Sequence, residues 1–110
     1  QAKKDLDTYG LPVMTPASIL EVGTRKIAAM DDEGYETPEL NDRLYLHFKG
    51  YRKVQNLEPY LNLKALWLGG NGLSTIHGLD HLSQLRCLYM QQNLLSGVSG
   101  LQGLVNLVQV

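Results

Sequence analysis

The sequence predicts a right-handed α/β solenoid, a chain wound in successive coils around a narrow apolar core with a parallel sheet along one side. Three observations predict it. Tyr45, Trp67 and Tyr89 stand 22 residues apart, each between two apolar residues of the same recurring motif. Leucines recur around them at matching offsets. Asparagine returns at the same place in two successive repeats, as Asn71 and Asn93.

Aligned on this period, the repeats run from 41 to 62, 63 to 84 and 85 to 106, and a further one starts at 107–110. The shared pattern is L-x-x-L-x-L-x-x-N-x-L with further apolar positions completing the coil, which is the leucine-rich repeat. Leu66 and Leu68, like Leu88 and Met90, alternate with outward residues and so define a short strand with one face in the core. Asn71 and Asn93 take the ladder position, where a side-chain amide satisfies backbone groups left unpaired as the strand turns away. Leu73, Ile76, Leu79 and Leu82 close the back of one coil, and Leu95, Val98, Leu101 and Leu104 that of the next.

The first repeat keeps Leu44, Leu46, Val54 and Leu57 but has Asn41, Tyr51 and Tyr60 at leucine positions and Lys49 at the ladder asparagine. Such departures suit a terminal repeat that faces a cap. Residues 1–40 form the N-terminal segment, and within it Thr15-Pro16 is a helix-start signal, a hydroxyl cap followed by proline at the first helical position. Ile19, Leu20, Gly23, Ile27 and Met30 follow as an apolar stripe, which predicts a capping helix over 15–30 that covers the open end of the solenoid. Asp31-Asp32-Glu33-Gly34 ends it as a polar turn, and Thr37-Pro38 leads into the first strand. Gln1 in place of methionine and a last strand broken off at Val110 predict a fragment of a longer repeat protein.

A chain of 110 residues is ordinarily one domain. Its apolar stretches are interrupted by Gly, Asn or charge well before membrane length. The single cysteine, Cys87, excludes an intrachain disulfide framework and fits a reducing compartment. With a formal net charge of −1, direct nucleic-acid binding is not expected, although Lys49, Tyr51, Arg52 and Lys53 form a basic cluster with an interleaved aromatic that suits phosphate or an acidic protein surface. His77 and His81 fall on the turn and back of one coil with His47 on the opposite side, so solvent-exposed roles rather than a metal site are expected for all three. Neighbouring carboxylates at 31–33 do not converge on a substrate, and no nucleophile elbow or phosphate-binding glycine loop is present. Catalysis, cofactors and metals are therefore not expected.

Residues between and beside the strand leucines point outward on the concave side. They form three rows: Arg43, Ala65, Cys87 and Gln109; Tyr45, Trp67 and Tyr89; His47, Gly69 and Gln91. Coils stack about 4.8 Å apart, which places the three aromatics in a ladder. Tyr45, Trp67 and Tyr89, with Arg43, His47, Cys87 and Gln91 around them, are the candidate protein-binding residues, because rigid rings bury much area at low entropic cost. Cross-strand stabilisation of the sheet is the other role open to the same rings. Glycine at 69 is expected to leave a dip beside Trp67.

One stretch is more specific than the repeat. Leu40-Asn41-Asp42, then Leu44-Tyr45-Leu46-His47-Phe48-Lys49-Gly50-Tyr51, then Leu66-Trp67-Leu68, closely resembles the leucine-rich-repeat axonemal dynein assembly factor family, with the likeness covering roughly residues 15–110. Gly69-Gly70 departs from the bulkier polar residues of that family. The resemblance implies a cytoplasmic, non-enzymatic factor that preassembles dynein arms for motile cilia or flagella, with axonemal dynein chains or assembly chaperones as partners. A resident structural subunit of the axoneme needs the same binding surface, and a ribonucleoprotein-associated adaptor would need a broader basic stripe than this sequence has.

Overall fold

The computed structural model describes residues 6–24 and 35–95. The continuation of the N-terminal helix through Ile27 and Met30, the polar turn at 31–34, the closing residues Val98, Leu101 and Leu104, and the start of a further repeat at 107–110 lie outside the described residues.

Three short strands, β1 (Arg43–Tyr45), β2 (Ala65–Trp67) and β3 (Cys87–Tyr89), form one parallel sheet in the order β1-β2-β3. Arg43 pairs with Ala65 and Ala65 with Cys87, so each register step is the sequence period. Each strand buries its central leucine and half-exposes the residues beside it. The pairing extends past the strands: Leu46 N donates to Trp67 O and Phe48 N to Gly69 O, both at 2.9 Å, and the next coil repeats this with Leu68 N to Tyr89 O and Gly70 N to Gln91 O.

The core is the set of leucines that the period marks. Leu44, Leu46, Leu63, Leu66, Leu68, Leu73, Leu79, Leu82, Leu85 and Leu88 have no accessible surface. Tyr51 and Tyr60 occupy leucine positions in the first coil and are buried there, with Tyr60's phenol held above its usual pKa by desolvation. Asn41 replaces a leucine differently. It is 2% exposed, and its side chain accepts from Tyr35 N and donates to the carbonyls of Tyr35 and Thr37, thereby fixing the turn that leads into β1.

The ladder asparagines work backward. Asn71 donates to Leu68 O in its own coil and to Leu46 O in the preceding one, and accepts from Lys49 N and Tyr51 N. Asn93 repeats this with Met90 O, Leu68 O and Leu73 N. Since each asparagine serves the coil before it, Lys49 is tolerated in the coil of β1, before which the described residues hold no further strand of the sheet.

Between strands the described backbone is turns rather than helix, and two repeat positions adopt left-handed backbone: Phe48, Gly70 and Gln92 at one, Asn56 and Gly78 at the other. At the N-terminal end, α1 (Pro16–Ser18) continues into a π-helical turn at Ile19–Gly23. Thr15 caps it in a reciprocal box, accepting from Ser18 N while its own N–H donates to Ser18 Oγ. Ile19 is fully buried, and a Cβ on Gly23 would stand 3.0 Å from Leu46 and 3.1 Å from Leu44, so the helical segment rests directly on the first coil's leucines.

Candidate functional site

Parallel register places Tyr45, Trp67 and Tyr89 in one row on the exposed face of the sheet. Tyr45 and Trp67 have ring centroids 4.6 Å apart with planes tilted by 30°, and Trp67 and Tyr89 stack at 4.9 Å and 18°. Offset stacking at these distances contributes about 0.5–1.5 kcal/mol per pair beyond area burial. All three rings remain half-exposed, so the row presents apolar area to solvent as well as stabilising the sheet.

The flanking rows differ in character. Arg43 lies beside Asp42, Nε to Oδ1 at 3.7 Å, an exposed pairing of little energetic weight. Cys87 is half-buried and in no disulfide. Desolvation first, then the Cys87 side chain, pushes the Tyr89 phenol above its usual pKa. Gln91 is exposed and His47 half-buried. Gly69 does not leave the expected dip: a Cβ there would meet the Gln91 carbonyl oxygen at 3.1 Å, so the neighbouring coil's backbone already takes that space.

The structure extends the ring row by a residue that the sequence reading did not single out. Phe48 is 68% exposed, its ring edge-on to His47 at 5.6 Å, and His47 in turn stands edge-on to Tyr45 at 6.4 Å. Gly70 makes room for it, since a Cβ on Gly70 would collide with the Phe48 ring. The signal was present in the register: residues 48 and 70 hold the same repeat position.

Two expectations need correction. His47 and His81 are not free solvent-facing side chains: His47 is half-buried with Nδ1 buried and unpartnered, and the half-buried His81 ring brings Nε2 within 2.9 Å of Leu57 O in the preceding coil. Tyr51 does not interleave the basic cluster, because it points into the core. Among the described residues no group of three or more His, Cys, Asp or Glu side chains could hold a metal ion, and no helix is long and apolar enough to cross a membrane.

No family model matches the chain. It is similar to a dynein axonemal assembly factor 1 homolog of Drosophila pseudoobscura pseudoobscura, 50% identical over 56 residues, which is 51% of this chain and 4% of that protein. Leucine-rich repeat-containing protein ODA7 of Chlamydomonas reinhardtii is 45% identical over 70 residues, 64% of this chain and 15% of that one. Rat dynein axonemal assembly factor 1 is 62% identical over 34 residues, 31% and 5% of the two chains. The fold matches a crystal structure of an internalin C2 from Listeria monocytogenes with a TM-score of 0.60 and 30% identity, covering 68% of this chain and 34% of that one. The chain thus spans a small part of the curated relatives it matches, and its resemblance to axonemal dynein assembly factors and its leucine-rich-repeat character both stand.

Proposed function

We propose that this chain is part of a non-enzymatic leucine-rich-repeat scaffold that binds proteins during cytoplasmic preassembly of axonemal dynein arms. Its partners are axonemal dynein chains and assembly chaperones. They dock on the concave side of a right-handed solenoid of 22-residue coils, with Tyr45, Trp67 and Tyr89 as anchors and Arg43, His47, Cys87 and Gln91 around them. Residues 1–40 serve as the N-terminal cap of the coils in 41–110. Ile19 and Gly23, packed on the first coil, support that role.

The observation that carries the reading is a continuous row of half-exposed stacked rings on a sheet face, in a chain similar to proteins named as dynein axonemal assembly factors. Aromatic side chains held rigid by their neighbours lose little entropy on binding, which is why they concentrate binding energy.

Affinity capture of the full-length protein tests it, performed separately on ciliated-cell cytosol and on salt-extracted axonemes, with mass spectrometry of the co-purifying proteins. Dynein chains together with chaperones in the cytosolic fraction are the expected result. Stoichiometric recovery from axonemes would instead make the protein a resident structural subunit, and recovery of splicing proteins would make it a ribonucleoprotein adaptor.

A further inference from the structure

The basic run after β1 has no part in the ring row, and the structure gives it a setting of its own. The N-terminal segment lies against the turns that follow β1 and β2, and the two together enclose an open cavity of about 690 Å³. That volume falls within the roughly 300–1,000 Å³ of small-ligand sites. The coils contribute Arg52, Lys53, Ser74, Thr75 and His77 to its lining, and the N-terminal segment contributes Asp7, Tyr9 and the apolar stretch from Leu11 to Met14.

The electrostatic balance of this lining is unspent. Arg52 and Lys53 are exposed, and no ion pair engages either of them among the described residues. Asp7 supplies the lining's carboxylate; its Oδ1 accepts from Tyr9 N at 2.8 Å and Leu11 N at 2.9 Å, which holds it in the N-terminal turn with its charge intact, so that Arg52 and Lys53 against Asp7 leave the lining one formal positive charge. Arg52 is also positioned by its neighbour. A Cβ on Gly72 would stand 3.2 Å from Arg52 Cδ, so glycine there lets the arginine stem lie flat along the adjacent coil.

Two cations, two hydroxyls and an imidazole around one open cavity exceed what a carboxylate's two oxygens use. They match a dianionic group with three acceptor oxygens. We propose that this cavity is a binding site for a phosphate monoester, with Arg52 and Lys53 supplying charge and Ser74, Thr75 and His77 supplying further hydrogen-bond donors. Arginine's planar fork is the part that reads two phosphate oxygens at once. The same chemistry is carried by a phosphorylated serine of a polypeptide and by a soluble phosphate ester. None of these residues belongs to the ring row, so the two sites fail or stand separately.

The test is an amide ¹H–¹⁵N NMR titration of the 110-residue chain with a blocked phosphoserine tripeptide, its unphosphorylated twin, glycerol 3-phosphate, and sodium chloride at matched ionic strength. Saturable shifts at Gly72, Ser74, Thr75 and His77 with the phosphorylated probes alone are expected. Tighter binding of the phosphopeptide would assign the polypeptide source, and equal or tighter binding of glycerol 3-phosphate the soluble one. Loss of two ionic hydrogen bonds in Arg52→Gln/Lys53→Gln should weaken binding by about tenfold or more. If that variant loses its dispersed spectrum, Thr75→Val, at an exposed position, carries the test with a several-fold loss expected. Shifts reproduced by sodium chloride, or unchanged binding in a folded variant, would overturn the site.

Discussion

His47 sits at the join between the ring row and Phe48, and its chemistry follows from one orphaned atom. Nδ1 is buried with no hydrogen-bond partner, so a proton there would gain no acceptor and lose its water. Burial first, and the nearby Lys49 charge second, lower the imidazole pKa from 6.5. As pH falls, the unfolded chain therefore takes up the proton before the folded chain does. The contribution to stability is intact above the unfolded value and is lost as pH drops from 6.5 through the lower folded value. Urea midpoints at pH 7.5 and 5.0 should show a larger loss for the wild type than for His47→Gln, and the ring's own NMR titration should fall below 6.5. Identical pH slopes in the two proteins would contradict this account. Burial of this kind was not legible in the sequence, because whether His47 faces solvent depends on where the Tyr45 and Phe48 rings come to rest.

Between elements, the asparagine ladder holds each coil to the next. Asn71 is 9% exposed and makes four backbone hydrogen bonds, two of them to amides that have turned away from the sheet. Alanine there would strand Lys49 N, Tyr51 N and Leu46 O together, while Leu68 O keeps its bond from Asn93 Nδ2, an expected loss of about 3 kcal/mol or more given roughly 1–3 kcal/mol for each stranded buried group. Asn93 is half-buried and its groups are closer to water, so Asn93→Ala should cost less, about 1–2 kcal/mol. Urea unfolding of both variants checks the order, and a smaller loss for Asn71→Ala would refute it. The ladder, the strand leucines and the strand register were legible in the sequence because every one of them repeats at a fixed offset. What does not repeat was not legible. Asn41 reads as a missing leucine, yet it folds the chain by bonding to residues only four and six positions away. Phe48 and Gln92 hold left-handed backbone without glycine at that position, so composition gives no sign of the turn. The N-terminal stretch that packs Met14 into the core and binds Asn56 through Met14 O carries no periodic mark at all.

For the molecule as a whole, what matters is whether the ring row serves the sheet, a partner, or both, and the energies separate these. Removing Trp67 deletes its stacking on both Tyr45 and Tyr89. At about 0.5–1.5 kcal/mol for each contact, Trp67→Ala combined with Tyr89→Ala should lower stability by about 1–3 kcal/mol. That loss leaves the fold in place, because Leu66, Leu68 and Leu88 beneath the rings are fully buried and untouched. Circular dichroism should therefore retain the wild-type shape with an earlier urea midpoint. Binding responds on a different scale, since a central aromatic anchor is worth about 2 kcal/mol or more, and under the proposed function partner capture from cytosol should fall by well over tenfold. Trp67→Phe keeps a stacking ring while shrinking the exposed area, so stability should nearly recover but capture only in part. If capture per folded molecule were unchanged in the double variant while the urea midpoint fell, the rings would be a structural ladder alone, and the binding surface would have to lie elsewhere on the coils.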